Sequence, residues 1–193
     1  MQYYVVTYTH TKLVRWAIYL YAHIKYLKKL VKQGKLQISG PGVGTPVRSA
    51  QLVFNVTDEK VVNQLIADDP YSIHDLVASK TVHLWNVTHG SMTKPAASDP
   101  EGTKYYRATY ELKDQALLNQ YQKEHDAYLD QLLKEKKIRA AGSYVEDQLS
   151  GLLIISAADA TQAETIMRKD PYIQHGHAKY KIIEWDPKFG EFK

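Results

Sequence analysis

The sequence predicts an α+β protein made of two βαββαβ domains packed sheet to sheet, and three observations carry that prediction. The first is a duplication. Asp69, Pro70 and Tyr71, followed by His74, return as Asp170, Pro171 and Tyr172, followed by His175. Tyr3, Tyr4, Thr7 and Tyr8 return as Tyr105, Tyr106, Thr109 and Tyr110, and His23, Tyr26, Leu27 and Leu30 return as His125, Tyr128, Leu129 and Leu132. The offset is 102 at the histidine and 101 at the aspartate. Solenoid repeats run roughly 20–50 residues, so a period this long makes each copy a whole small domain. The second observation is the order of strand and helix periods within each copy, and the third is that this order leaves one sheet face open. A domain this small buries only about 60–65% of its unfolded surface, and packing copy against copy would cover the open face.

In the first copy, Tyr3 to Thr9 combines tyrosine, valine and threonine, which suit a pleated, half-buried surface, and reads as a strand. Leu13 to Gln33 contains no glycine or proline and places apolar residues at Leu13, Trp16, Leu20, Ile24, Leu27, Leu30 and Val31, the period of an amphipathic helix. Gly34 stops it, Leu36 to Ser39 is a second strand, and Gly40, Pro41, Gly42 and Gly44 form a turn where backbone can approach a ligand. Leu52 to Val56 is a third strand. Thr57 is the candidate N-cap of a short helix carrying Val61, Val62, Leu65 and Ile66 that ends before Pro70, and Thr81 to Val87 is the last strand. This is the ferredoxin-like plan.

Residues 89–103, with Gly90, Pro95, Ser98, Pro100 and Gly102, read as a linker between domains at 1–88 and 104–193. The second copy repeats the plan: a strand at Tyr105 to Tyr110, a helix over Gln115 to Lys136, strands at Ile138 to Ala141 and Leu152 to Ile155, and a helix that Asp159 caps with Gln162 three residues on. Tyr180 to Trp185 closes it, and Lys188 to Lys193 reads as a tail.

The chain of 193 residues has no cysteine, which excludes disulfides, thiolate zinc sites and a cysteine nucleophile. No apolar run approaches the ~18 residues of a membrane span and the opening residues lack a signal pattern, so a soluble cytoplasmic protein with no membrane partner is expected. The formal net charge of +4 is too small to imply a polyanionic partner. Lys25, Lys28, Lys29, Lys32 and Lys35, with Lys134, Lys136, Lys137 and Arg139 in the second copy, read as solvated outer faces and no nucleic acid is expected: Glu124, Asp126, Asp130 and Glu135 interrupt the second run and no base-stacking motif accompanies it.

The chemistry-bearing candidates lie on the repeat. His23 and His125 fall on the apolar stripes of their helices, where ring nitrogens must find hydrogen-bond partners. Asp69 and Asp170, each before a proline, can orient them, or can simply initiate turns. His175 with His177 is a conceivable metal pair, but no third ligand completes it at ligand spacing, and no metal or cofactor is expected. Gly40 to Gly44 lacks the lysine and hydroxyl residue of a phosphate loop.

Taken in order, His23, Leu27, Gly40, Pro41, Asp69, Pro70 and Tyr71, and then His125, Leu129, Gly142, Asp170, Pro171, Tyr172 and Gly176, resemble the pattern of YCII-related domains across both copies. The resemblance implies a pseudo-dimeric α+β barrel of ferredoxin-like domains and an active site built from the histidine and aspartate. Some relatives are linked to dehydrochlorination of aromatic breakdown products, and the wider barrel superfamily includes muconolactone isomerases and small monooxygenases. Two departures stand out: Ser143 replaces the proline after Gly142, and Asp75 stands where the second copy has Gly176.

The resulting expectation is an acid–base enzyme of lyase or isomerase type acting on a small planar or carbonyl compound. His23 and His125 would be the bases and Asp69 and Asp170 their orienting partners. Gly40, Pro41, Tyr71, His74, Gly142, Tyr172 and His175 would contact substrate. A non-catalytic module, binding a small ligand in the same pocket or purely structural, is the competing expectation, and a homodimer of the two-domain chain is conceivable. The two sites should differ, with Tyr144 in place of Gly42 narrowing or altering the second pocket and Asp75 adding charge near Asp69 in the first. The first copy should be the better site.

Overall fold

The computed structural model describes residues 2–10, 12–93, 99 and 102–190. Part of the expected linker, at 94–98 and 100–101, and the tail end at 191–193 lie outside the described residues. The first copy runs β1 (Gln2–His10), α1 (Leu13–Lys32), β2 (Leu36–Pro41), β3 (Arg48–Val56), α2 (Glu59–Ala67), α3 (Pro70–Ile73) and β4 (Ser79–Gly90). The second runs β5 (Lys104–Leu112), α4 (Gln115–Lys134), β6 (Ile138–Tyr144), β7 (Ser150–Ala157), α5 (Ala160–Arg168), α6 (Pro171–Gln174) and β8 (Ala178–Trp185), with β9 (Phe189–Gly190) at the end. The βαββαβ plan therefore occurs twice, each time with a one-turn helix, α3 or α6, after the second long helix.

Helix starts follow side-chain chemistry. Asp58, not Thr57, caps α2 by accepting from the Val61 amide, because its carboxylate is the stronger acceptor and Thr57 donates its hydroxyl to it. Asp159 caps α5 through the Gln162 amide, while the Gln162 side chain reaches back to the Ala158 amide, one residue before the capping-box position. Helix α1 ends at Gly34 with φ 68°, and α4 ends at the equivalent Lys136 with φ 57°. A left-handed conformation costs a side chain about 1–2 kcal/mol, and glycine's extra chain entropy returns about half of that. Lys136→Gly should therefore raise stability by about 0.5–1 kcal/mol, read as a higher urea midpoint at unchanged slope.

Two compact units arise, and neither is one sequence copy alone. Among the described residues, the first gathers 2–84, 93 and 186–190; the second gathers 85–92 and 99–185. In the first unit the strand order is β4-β1-β3-β2-β9, and in the second it is β8-β5-β7-β6-β4. The end of β4 pairs with β6, with Trp85 opposite Tyr144 and Gly90 opposite Ala140. Equivalently, β9 pairs with β2, with Phe189 opposite Ser39 and Gly190 opposite Ile38. The expected tail thus contains a strand.

Each unit packs its helices on one sheet face, as period-two alternation requires. Tyr4, Val6 and Tyr8 of β1 meet Leu27 and Leu30 of α1 in the first core. Tyr106, Ala108 and Tyr110 of β5 meet Leu129 and Leu132 of α4 in the second. Among the described residues, no helix is long and apolar enough to cross a membrane.

Candidate active site

His23 shares the buried stripe of α1 with Leu27 and Leu30, so its ring enters the protein rather than solvent. There Nδ1 lies 2.8 Å from Oδ1 of Asp69. An ionised carboxylate only accepts, so Nδ1–H donates to it and Nε2 is the ring nitrogen left for other work. The same Oδ1 accepts the Tyr71 amide at 2.9 Å and caps α3. Turn initiation and histidine orientation are therefore two duties of one oxygen. Oδ2 of Asp69 is buried with no hydrogen-bond partner among the described residues. Tyr71 completes the group, its ring stacked on the imidazole at 4.0 Å and 11°. Burial, with the Asp69 charge, pushes the Tyr71 hydroxyl well above its ordinary pKa, so it stays protonated.

The second copy reproduces this geometry. His125 Nδ1 lies 2.9 Å from Asp170 Oδ1, which accepts the Tyr172 amide at 3.0 Å, and the Tyr172 ring stacks on His125 at 4.1 Å.

Beside His23 lies a cavity of about 610 Å³, within the usual range for small-molecule sites. Its walls include His10, Trp16, His23, Arg48, Tyr71 and Phe189, over aliphatic Leu20, Ile24 and Leu27. His10 is buried, and its Nδ1 lies 3.1 Å from the Leu76 carbonyl, an acceptor, so Nδ1 carries the proton. Its ring meets the Tyr71 ring edge-on at 5.1 Å. Burial lowers the His10 pKa; the Leu76 carbonyl and Asp69 oppose this, and His23 and Arg48 reinforce it. His10 is thus held neutral in the folded protein but free to protonate when unfolded. The unfolded chain then binds more protons as pH falls below about 6.5, so this group's contribution is present above that pH and is lost below it. Wild-type urea midpoints should fall between pH 7 and pH 5.5, and His10→Gln should flatten that slope.

The remaining expected site residues are not all drawn into the cavity. Pro41 and Gly40 line it. A Cβ on Gly40, however, would sit 2.1 Å from the Asp186 carbonyl oxygen, and one on Gly142 would sit 1.8 Å from that of Asn86. At both places the backbone of a neighbouring segment leaves no room for a side chain. His74 stacks on Tyr19 at 3.7 Å and is not among the residues lining the cavity. His175 stacks on Tyr121 at 4.5 Å and is exposed. Asp75 takes the left-handed conformation that Gly176 takes in the second copy, with φ 55° against 67°. Its exposed carboxylate is met by Lys12 at 2.6 Å, which directs its charge to the surface. Tyr144 belongs to the sheet face of Gly142, Leu152, Thr109 and Arg107, whereas Tyr110 meets His125 from the opposite face. Tyr144 therefore does not fill a pocket beside His125.

His10, Trp16, Arg48 and Phe189 escaped the repeat-based reading because none recurs. Their counterparts are Leu112, Leu118, Leu149 and His89. Period-two spacing behind Tyr4, Val6 and Tyr8 was the signal that could have placed His10 on the helix-covered face.

The family model for the YCII-related domain matches residues 1–86 and 103–186. No curated protein matches the sequence. Among solved structures, a proposed monooxygenase from Lactobacillus acidophilus NCFM is similar at 12% identity over 99% of this chain and 96% of that one, with a TM-score of 0.60. A proposed monooxygenase from Fusobacterium nucleatum is similar at 8% identity over 96% and 91%, with a TM-score of 0.63. A heme-binding protein from Thermus thermophilus is similar at 12% identity over 95% and 91%, with a TM-score of 0.60. At these identities the likeness shows a shared α+β fold.

Proposed function

Since the chain belongs to the YCII-related domain family, with two copies of that domain, we propose that it is a small-metabolite enzyme whose first copy moves protons through the His23–Asp69 pair. The reaction would be of lyase or isomerase type on a compact planar or carbonyl compound. One observation carries this reading: a histidine that lines a cavity while one ring nitrogen is committed to a buried carboxylate. In such a site Nε2 of His23 abstracts a proton from carbon next to a carbonyl. Asp69 stabilises the imidazolium that forms, and the proton then returns at another atom or the electron pair expels a leaving group. Positioned proton transfer of this kind is worth about 10²–10⁴ in rate. Proteins of this fold described as binding heme or as monooxygenases agree with a small-molecule site but do not choose the reaction.

Hydrogen–deuterium exchange tests the proposal. Cyclic ketones and hydroxylated aromatic compounds incubated with the protein in D₂O should gain deuterium at their acidic carbon, as read by proton NMR. His23→Gln should abolish that gain. Exchange that survives in the variant removes the proposal, and a ligand bound without exchange turns the reading to a binding module.

A further inference from the structure

The first-copy cavity carries a charge pattern that the histidine–aspartate pair does not use. Two permanent cations line it, Arg48 and Lys188, and no carboxylate among the described residues does. Lys188 is already paired with Asp186. Arg48 is exposed, no carboxylate among the described residues pairs with it, and its guanidinium carbon lies 4.7 Å from the centre of the Trp16 ring. A stacked guanidinium is pre-oriented, and its planar fork suits a bidentate anion. Three aromatic rings, Trp16, Tyr71 and Phe189, line the same space, with Phe189 delivered by β9.

We infer that the ligand of this cavity is a planar aromatic anion, its ring set among Trp16, Tyr71 and Phe189 and its carboxylate or phenolate met by Arg48. The inference rests on the proposed site and adds its substrate class. The second copy supports it by contrast. Arg48 faces His10 across the β1–β3 pair, and at the equivalent positions Leu149 bonds through its backbone to Leu112. Both polar groups are thus replaced by leucine, and the position of Phe189 passes to His89, whose Nε2 lies 3.9 Å from Asp130. Anion recognition belongs to the first site alone.

Calorimetric titration of the full chain at pH 8 with benzoate, benzamide and cyclohexanecarboxylate tests it. Benzoate should bind about tenfold more tightly than its neutral isostere benzamide, since a charge-assisted contact is roughly twice a neutral one. It should also bind several-fold more tightly than the non-planar anion. Arg48→Gln, at an exposed position that leaves the fold intact, should bring benzoate and benzamide within about twofold. Phe189→Ala should erase the preference for the planar ring. Equal binding of benzoate and benzamide by the wild type, a preference that persists in Arg48→Gln, or no binding of any probe at millimolar concentration would overturn the inference. His23→Gln separates it from the catalytic reading. The anion preference should survive there, so a preference found without His23-dependent exchange leaves this inference standing and removes the catalytic one.

Discussion

Asp69→Asn is expected to lower turnover by about 10²-fold while leaving the protein folded, and Asp69→Ala to lower stability by about 3 kcal/mol. The difference follows from the two duties of Oδ1. Asparagine can still accept the Tyr71 amide, so the cap of α3 survives. It carries no charge to stabilise an imidazolium on His23, so the rate gain of a positioned base, typically 10²–10⁴, is largely lost. Alanine removes both partners. A lost cap costs about 1 kcal/mol, and a buried Nδ1–H without an acceptor costs about 1–3 kcal/mol more. Because Asp170 makes the same two bonds, Asp170→Ala should destabilise by a similar amount, whereas Asp170→Asn should leave turnover within about twofold. Urea unfolding and initial rates measure these separately. Equal rate losses from Asp69→Asn and Asp170→Asn would sink the assignment of catalysis to the first copy.

The histidine and aspartate were legible in the sequence because two physical signals coincide on them. His23 and His125 lie on apolar helix stripes, and Asp69 and Asp170 stand before prolines that must begin a turn. The repeated element order was legible for a related reason, since 3.6- and 2-residue periods persist through each copy. Repetition also hid what matters most for specificity. It selects positions shared by both copies, and His10 and Arg48 differ because one copy has polar groups where the other has leucine. The glycines carry a second constraint that local pattern does not show. A glycine before a turn suggests ligand approach, yet the chain that comes close at Gly40 begins at Asp186, far away in sequence. No local pattern announces that kind of pairing. Nor could spacing show that Asp75 would meet Lys12, because that contact depends on how the loop after α3 folds back to the start of α1.

Gly142→Ala is expected to cost about 3 kcal/mol or more and to loosen the end of β4 from β6. An ideal Cβ there would sit 1.8 Å from the Asn86 carbonyl oxygen and 2.8 Å from its carbon, inside any permissible contact. Both atoms are backbone, so no side-chain rotation relieves the overlap and strands must separate. Overpacking usually costs about 1–3 kcal/mol, and a backbone collision lies at the upper end or beyond. Separation would also break the Trp85 indole bond to the Gly142 carbonyl, 3.0 Å long and buried. Gly40→Ala should act in the same way on Asp186, whose amide donates to the Pro41 carbonyl at 3.0 Å. Because Phe189 follows on that segment, the first cavity should lose ligand affinity as well as stability. Gly44→Ala is the control: its φ is 69° but nothing lies within 4 Å of the added carbon, so only the net conformational cost of about 0.5–1 kcal/mol applies. Urea midpoints rank the three variants, and amide exchange at 85–90 and 186–190 locates the loosened segment. A Gly142→Ala protein as stable as wild type, with those amides still protected, would show that the end of β4 is not held where the close approach to Asn86 places it.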